Sequence, residues 1–113
     1  MSNIETPTLK VVQGDTWELP LLFQNPDGSD MDISDYEILF ELRRNKAKVY
    51  DQDDNEVDID DTNSGDGELT ITISSTGTTP LDNSSPYYFL VRFQETESII
   101  KTQLIGELKI VEV

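Results

Sequence analysis

Tyr87-Tyr-Phe-Leu-Val-Arg-Phe-Gln94 is the stretch that decides how this chain folds. Tyr87, Phe89, Val91 and Phe93 occupy alternate positions, with Arg92 and Gln94 between them. Successive side chains of an extended strand point to opposite sides, so one side here is a row of rings and branched aliphatics and the other meets water. The same period returns three times. Trp17, Leu19, Leu21 and Phe23 alternate with Thr16, Glu18 and Gln24; Tyr36, Ile38, Phe40 and Leu42 alternate with Glu37, Glu41 and Arg43; Leu69, Ile71 and Ile73 alternate with Thr70 and Thr72. Helical spacing persists nowhere for three turns.

Outward from these four strands the signals shorten. Leu9 to Val12 suits an edge strand, and residues 99–113 read as one long strand or two, with Leu104, Leu108 and Ile110 facing inward. Val111 and Val113 fall on the other side from Ile110, which predicts a bulge or a second packed face near that end. Asn25-Pro-Asp-Gly28 carries turn chemistry, a fixed φ, a side-chain cap and a residue tolerant of positive φ, and Ser64-Gly-Asp-Gly67 marks the next sharp re-entry. Residues 74–85 predict a crossing loop with one helical turn. Residues 51–67 predict a long acidic loop, or a hairpin arm if Val57 and Ile59 pair, and residues 1–7 a flexible arm. Six to eight strands over 113 residues predict one all-β domain, an immunoglobulin-like antiparallel β-sandwich spanning residues 1–113.

Charge narrows the function classes. Eight Lys and Arg stand against 23 Asp and Glu, a formal charge of -15. Nucleic-acid binding rests on cations that neutralise phosphates, so DNA, RNA and anionic membrane surfaces are disfavoured partners. The chain has no cysteine and no histidine. Disulfides, zinc-thiolate sites, thiol nucleophiles, Ser-His-Asp triads and most transition-metal sites are therefore unavailable. Met1 to Thr8 has no basic-then-apolar pattern, and no run approaches the roughly 18 apolar residues of a membrane span. The expectation is a soluble product of the cytoplasm that is not an enzyme and carries no cofactor.

Two side-chain groups invite a functional reading. Asp51, Asp53 and Asn55 occupy the first three ligand slots of a calcium loop, but Glu56 stands where glycine makes the sharp turn and Thr62 where a bidentate Glu belongs. The acidic run therefore reads first as a solvated loop and second as a Ca²⁺ site. Its paired carboxylates lack the rigid cleft that acid-base work on a glycoside needs. Trp17, Tyr36, Phe40, Tyr87, Phe89 and Phe93 sit on inward positions, which argues for core and against a carbohydrate platform. Leu22, Leu39, Tyr88, Leu90 and Ile105 instead fall on faces expected to be polar. Together with Leu9, Val11, Val111 and Val113 of the predicted edge strands they are the candidate interface residues. Lys10, Lys101 and Lys109 lie in those same edge segments.

From Val12-Gln-Gly-Asp-Thr-Trp17 onward the sequence resembles the N-terminal β-sandwich domain of tailed-phage upper baseplate proteins and related small phage virion structural proteins. The Gly-Asp-Thr entry, the Asn25-Pro-Asp-Gly28 turn and the step Met31-Asp-Ile-Ser-Asp-Tyr36 are similar to that family. So are the strand Ile38 to Arg43, the re-entry Gly67-Glu68-Leu69, the Tyr-rich strand Tyr87 to Phe93 and the last strand Thr102 to Ile110. Ser85-Pro86 departs from the glycine that the family tends to carry before the Tyr-rich strand, so that corner is expected to turn differently. The resemblance implies a bacteriophage virion structural protein, an adaptor or decoration unit of baseplate, tail, neck or capsid surface. Its partners would be other virion proteins, and it would be a homo-oligomer or multicopy subunit. The alternative that the charge itself raises is an acidic DNA mimic that inhibits a nucleic-acid-binding enzyme.

Overall fold

Alternation becomes pairing in the computed structural model, which describes residues 7–112. The strands are β1 (Thr8–Val12), β2 (Trp17–Leu22), β3 (Glu37–Arg44), β4 (Ala47–Asp51), β5 (Val57–Asp60), β6 (Glu68–Ile73), β7 (Tyr87–Thr96) and β8 (Ile99–Val111). They form a five-stranded sheet A in the order β1-β8-β7-β3-β4 and a three-stranded sheet B in the order β2-β6-β5. Inward rows of both sheets meet in one core. Phe40, Leu42, Phe89 and Val91 of sheet A and Leu69, Ile71 and Ile73 of sheet B are sealed from solvent, and Trp17 lies edge-on to Phe89 with ring centroids 5.3 Å apart. Each such side chain contributes roughly 1.5–3 kcal/mol by leaving water. Tyr36 stacks on Phe93 at 5.2 Å and Phe23 meets the same ring edge-on at 4.9 Å, so the predicted aromatic positions build the core.

Two glycines let the layers close. Gly106 faces inward on β8, where an added Cβ would stand 2.1 Å from Cζ of Phe89. Gly67 turns the chain into β6 at φ +78°, and a Cβ there would stand 2.3 Å from the carbonyl oxygen of Phe23. Only glycine fits both the positive φ and that approach.

Several sequence expectations are corrected. The segment Ala47–Asp51 is a strand that alternation does not predict; it returns antiparallel to β3 through a two-residue turn at Asn45 and Lys46, both at positive φ. In the segment 51–67 Val57 and Ile59 do pair, with Ile73 and Ile71 of the next strand, so it is one arm of an antiparallel pair rather than a bare loop. It crosses from sheet A to sheet B through a tight turn, supplies β5 as an edge strand paired to β6, and ends in a 3-10 turn at Ser64–Asp66. The helical turn in the crossing loop is present, at Ser75–Thr78. The bulge lies earlier than expected. Val91 pairs Leu104 and Arg92 pairs Thr102, so Gln103 is the extra residue and β8 runs on without interruption to Val111. Finally, β1 runs parallel to Glu107–Val111 of β8, the one parallel pair among the described strands. That half of β8 is therefore covered rather than an edge. Parallel pairing here also turns Leu9 and Val11 toward the core, because their neighbours Leu108 and Ile110 face inward.

Neither Asp15 nor Thr16, the residues that follow the Gly14 corner, caps it. Gly14 does adopt φ +89°. The buried Thr78 hydroxyl takes the capping role instead, accepting from the Gly14 N–H at 3.1 Å and donating to the Asp15 carbonyl at 2.6 Å. Gln13 Nε2 donates to the carbonyls of Thr79 and Leu81, which ties the same corner to the helical turn.

Candidate functional site

The register of sheet A decides which outward side chains are neighbours. On β7 the outward residues are Tyr88, Leu90, Arg92 and Gln94. Leu90 lies between Ile105 of β8 and Glu41 of β3, Tyr88 between Glu107 and Arg43, and Arg92 between Thr102 and Leu39. Four candidate interface residues, Leu39, Tyr88, Leu90 and Ile105, are therefore brought together on one face. Tyr88 remains 43% exposed there. Ile100, opposite Gln94 and exposed, continues the apolar stripe toward the β7–β8 turn.

A charged cluster borders the stripe. Glu41 accepts from Arg43 Nε at 2.7 Å and from Arg92 Nη2 at 3.0 Å, although its side chain is only 16% exposed. One carboxylate thus fixes two guanidinium groups beside Leu39 and Leu90, and the Arg92 Nε is buried without a protein partner. Rotamer freedom has already been lost by groups that a partner would otherwise have to order. Apolar, tyrosine and arginine side chains held in place on an exposed sheet are the composition that carries protein–protein binding energy.

The other candidates fall elsewhere. Leu22, 56% exposed, stands on the opposite face of the sandwich, on β2 of sheet B between Pro20 and Glu68. Val111 points outward beside Val12 at the far end of β8. Leu9 and Val11 belong to the core, as above, and Val113 lies outside the described residues, as do residues 1–6 of the expected flexible arm.

Lys and Arg are segregated. All eight lie on strands of sheet A or in its β3–β4 turn: Lys10, Arg43, Arg44, Lys46, Lys48, Arg92, Lys101 and Lys109. Outward strand positions of sheet B carry instead Glu18, Asp58, Asp60 and Glu68, with Pro20, Leu22, Thr70 and Thr72.

Several carboxylates in or beside the turns are engaged with backbone. Asp27, Asp32 and Asp82 each accept both the N–H and the hydroxyl of the serine two residues on, and Asp60 accepts the Thr62 N–H at 3.0 Å. These serine and threonine donors hold the Asp27, Asp32 and Asp60 carboxyls below the usual range. Asp82 is depressed furthest, first by the Arg44 guanidinium at 2.8 Å and then by Ser84. Arg44 also donates to the carbonyls of Asp82 and Ser85 and lies 3.9 Å over the Tyr87 ring. That lock fixes the Ser85-Pro86 corner. The recurrent signal, Asp-x-Ser at 27–29, 32–34 and 82–84, was open to inspection in the sequence as an Asx-turn pattern.

The calcium candidates are not assembled into a cage. Asp51 Oδ2 binds Lys48 Nζ at 2.6 Å, its Oδ1 accepts the Asp53 N–H at 2.9 Å, and Asp54 caps the Asp51 N–H. Lys48 is the first cause of the lowered Asp51 carboxyl, and Asp51 in turn raises Lys48. Asp53 and Asn55 point to solvent, and among the described residues no three acidic side chains converge as a metal would require. No helix among those residues is long and apolar enough to cross a membrane.

No family model matches the sequence, and no curated protein matches it. Solved structures do match its shape. A chimeric titin Z1Z2 carrying an exogenous decorin peptide aligns over 98% of this chain and 94% of that one at 14% identity, with a TM-score of 0.54. The ZIG-8–RIG-5 IG1–IG1 heterodimer aligns over 99% and 88% at 13% identity, TM-score 0.57. A chicken T-cell receptor structure aligns over 94% of this chain and 48% of that one at 9% identity, TM-score 0.60. At such identities the likeness is one of fold: the chain is an immunoglobulin-like β-sandwich.

Proposed function

We propose that this chain is a non-catalytic assembly module of a phage virion that works by protein–protein contact through the outer face of sheet A. One observation carries the contact surface: Leu39, Tyr88, Leu90 and Ile105 adjoin one another on a sheet face that folding leaves free to be polar, beside arginines already fixed by Glu41. Such a face is of no use to a solitary soluble domain. The virion setting rests on the resemblance that runs from Val12-Gln-Gly-Asp-Thr-Trp17 to the last strand, and a structural subunit is the partner it implies. A heterodimer of two immunoglobulin-like domains among the structural neighbours illustrates that this fold can pair through its own surfaces.

The DNA-mimic alternative draws less support. It needs carboxylates on rigid elements at phosphate-like spacing, whereas many here cap turns. The test of the favoured reading is mass spectrometry of purified particles from cells producing either the natural chain or its Leu90→Asp variant. The natural chain is expected in the particles and the variant is expected to be lost from them at equal expression. Equal retention of both, or absence of both, overturns the reading.

A further inference from the structure

The two faces of the sandwich are complementary in chemistry. We infer that copies of this chain associate head to tail, the outer face of sheet A of one copy seated on the outer face of sheet B of the next. This rests on the reading of sheet A as a contact surface and names its occupant.

Three pairings of the two faces are possible, and charge separates them. Sheet B against sheet B sets Glu18, Asp58, Asp60 and Glu68 against the same four carboxylates, with no cation on either side. Like charges brought together this way cost several kcal/mol. Sheet A against sheet A is tolerable, since Lys10, Arg43, Lys48, Arg92 and Lys109 share that face with Glu37, Glu41, Asp51 and Glu107. It leaves sheet B and Leu22 without a role. Sheet A against sheet B sets the one face that carries cations, mixed in charge and close to neutral, on the wholly acidic one. It also sets the apolar pair Pro20 and Leu22, which sit beside Glu68, toward the stripe of Leu39, Leu90 and Ile105. Leu22 is the most exposed of the large apolar side chains described, and of the two pairings that charge allows this is the one that buries it.

Such a contact is heterologous: each copy keeps one face free, so association continues until a ring closes or a filament grows. It is also weak. Three strands span roughly 15 by 20 Å from strand spacing and rise, well under the area of a standard interface. Salt acts in two directions. Repulsion between two strongly acidic chains dominates at low ionic strength, whereas at about 0.15 M the Debye length of roughly 8 Å screens it and leaves contact pairs intact. Self-association is therefore expected to peak at intermediate salt.

The test is sedimentation velocity on three proteins: the natural chain, a sheet A variant (Leu90→Asp) and a sheet B variant (Leu22→Lys with Asp58→Lys), each confirmed folded by circular dichroism. At about 1 mM, where so small an interface becomes populated, the natural chain is expected to form species larger than dimers. Each variant alone is expected to associate at least about tenfold more weakly, a loss of about 1.4 kcal/mol. Mixed in equal amounts, the variants are expected to form one-to-one dimers and nothing larger, because each retains the face that the other has lost. A natural chain that stays monomeric at every salt concentration overturns the inference. So does a chain that stops at dimers and is indifferent to the sheet B variant. If the natural chain is monomeric while Leu90→Asp still releases it from particles, the assembly reading stands and the head-to-tail inference alone falls.

Discussion

Sheet A turns Leu39, Tyr88, Leu90 and Ile105 outward among arginines, whereas sheet B turns Thr70 and Thr72 outward among Glu18, Asp58, Asp60 and Glu68. Both sheets obey one rule on the inside, where every second residue is apolar. On the outside sheet B, apart from Pro20 and Leu22, is what a soluble strand surface requires: threonine suits the pleat, and carboxylates discourage edge pairing. Sheet A departs from that pattern with no benefit to the core. Because folding demands little of outward positions, the difference between the two faces is what the proposed contact through sheet A would account for.

That comparison breaks most plainly if the inner faces are not equivalent. Phe89→Ala in sheet A is expected to cost about 3–5 kcal/mol and Ile71→Ala in sheet B about 2–5 kcal/mol, since both are sealed from solvent and leave cavities. Gly106→Val should fall among them, because Phe89 would have to leave its rotamer. Urea unfolding measures all three. A small loss for Ile71→Ala would mean that sheet B is no part of the cooperative core, and its outer face could then not be weighed against that of sheet A.

The next effect sharpens the outer contrast. Glu41→Gln removes the anion between Arg43 and Arg92 and should destabilise by about 1–2 kcal/mol, less than for a fully buried pair because both arginines reach water. Its carboxylate counterpart on sheet B, Asp58, has no side-chain partner among the described residues, so Asp58→Asn should change the urea midpoint little. Equal effects at the two positions would show that the Glu41 cluster is an ordinary surface ion pair.

How much of this was legible varies element by element. Period-two alternation exposed β2, β3, β6 and β7 because each buries one face only. It missed β4, whose Lys48, Val49 and Tyr50 break phase at a bulge and whose turn is Asn45-Lys46 in place of the Asn-Gly that usually marks a two-residue hairpin. It left β5 unplaced, since four residues with two aspartates carry too little pattern to choose a sheet. Leu39, Tyr88, Leu90 and Ile105 stood out singly as apolar residues in polar rows. Their adjacency depends on register across three strands, which no single segment encodes. Leu9 and Val11 misled for the same reason: their inward orientation follows from a parallel pairing with a strand about 100 residues away in sequence.

Acid sharpens the contrast between turns and faces. Asp27, Asp32, Asp51, Asp60 and Asp82 all have folded carboxyls below their ordinary value, so the stability they contribute is complete above about pH 4, the unfolded range. It is lost as pH falls below that through their folded values. Between neutral pH and about 4 the opposite effect operates, because protonation of unpaired carboxylates relieves the repulsion of a chain whose isoelectric point is near 4.1. Thermal midpoints are thus expected to hold or rise on acidification to about pH 4 and to fall steeply beneath it. Asp82→Asn, which weakens the Arg44 lock, should lower the midpoint at neutral pH and flatten the acid limb. A midpoint that declines steadily from pH 7 would mean that repulsion among carboxylates does not dominate on either face.

The smallest effect tests that repulsion directly on sheet B. Asp58 shares a transverse row with Thr72 and Glu18, and Asp60 stands two residues further along the same strand. Asp58→Lys replaces one of these like charges by its opposite and removes two units of net negative charge. It is expected to stabilise the fold by a few tenths of a kcal/mol, the size of most surface changes. Part of that gain comes from lysine being somewhat better tolerated than aspartate in a strand, and this part does not depend on salt. The electrostatic part should vanish near 1 M salt, where the Debye length is about 3 Å. A lysine at an exposed position of sheet A, Thr8→Lys, changes the charge by one unit rather than two and stands opposite Glu107 but beside Lys10 and Lys109, so it should gain less. Urea midpoints for the two variants at low and high salt therefore read the charge asymmetry of the sandwich without reference to any partner, and equal salt-dependent gains on both faces would remove it.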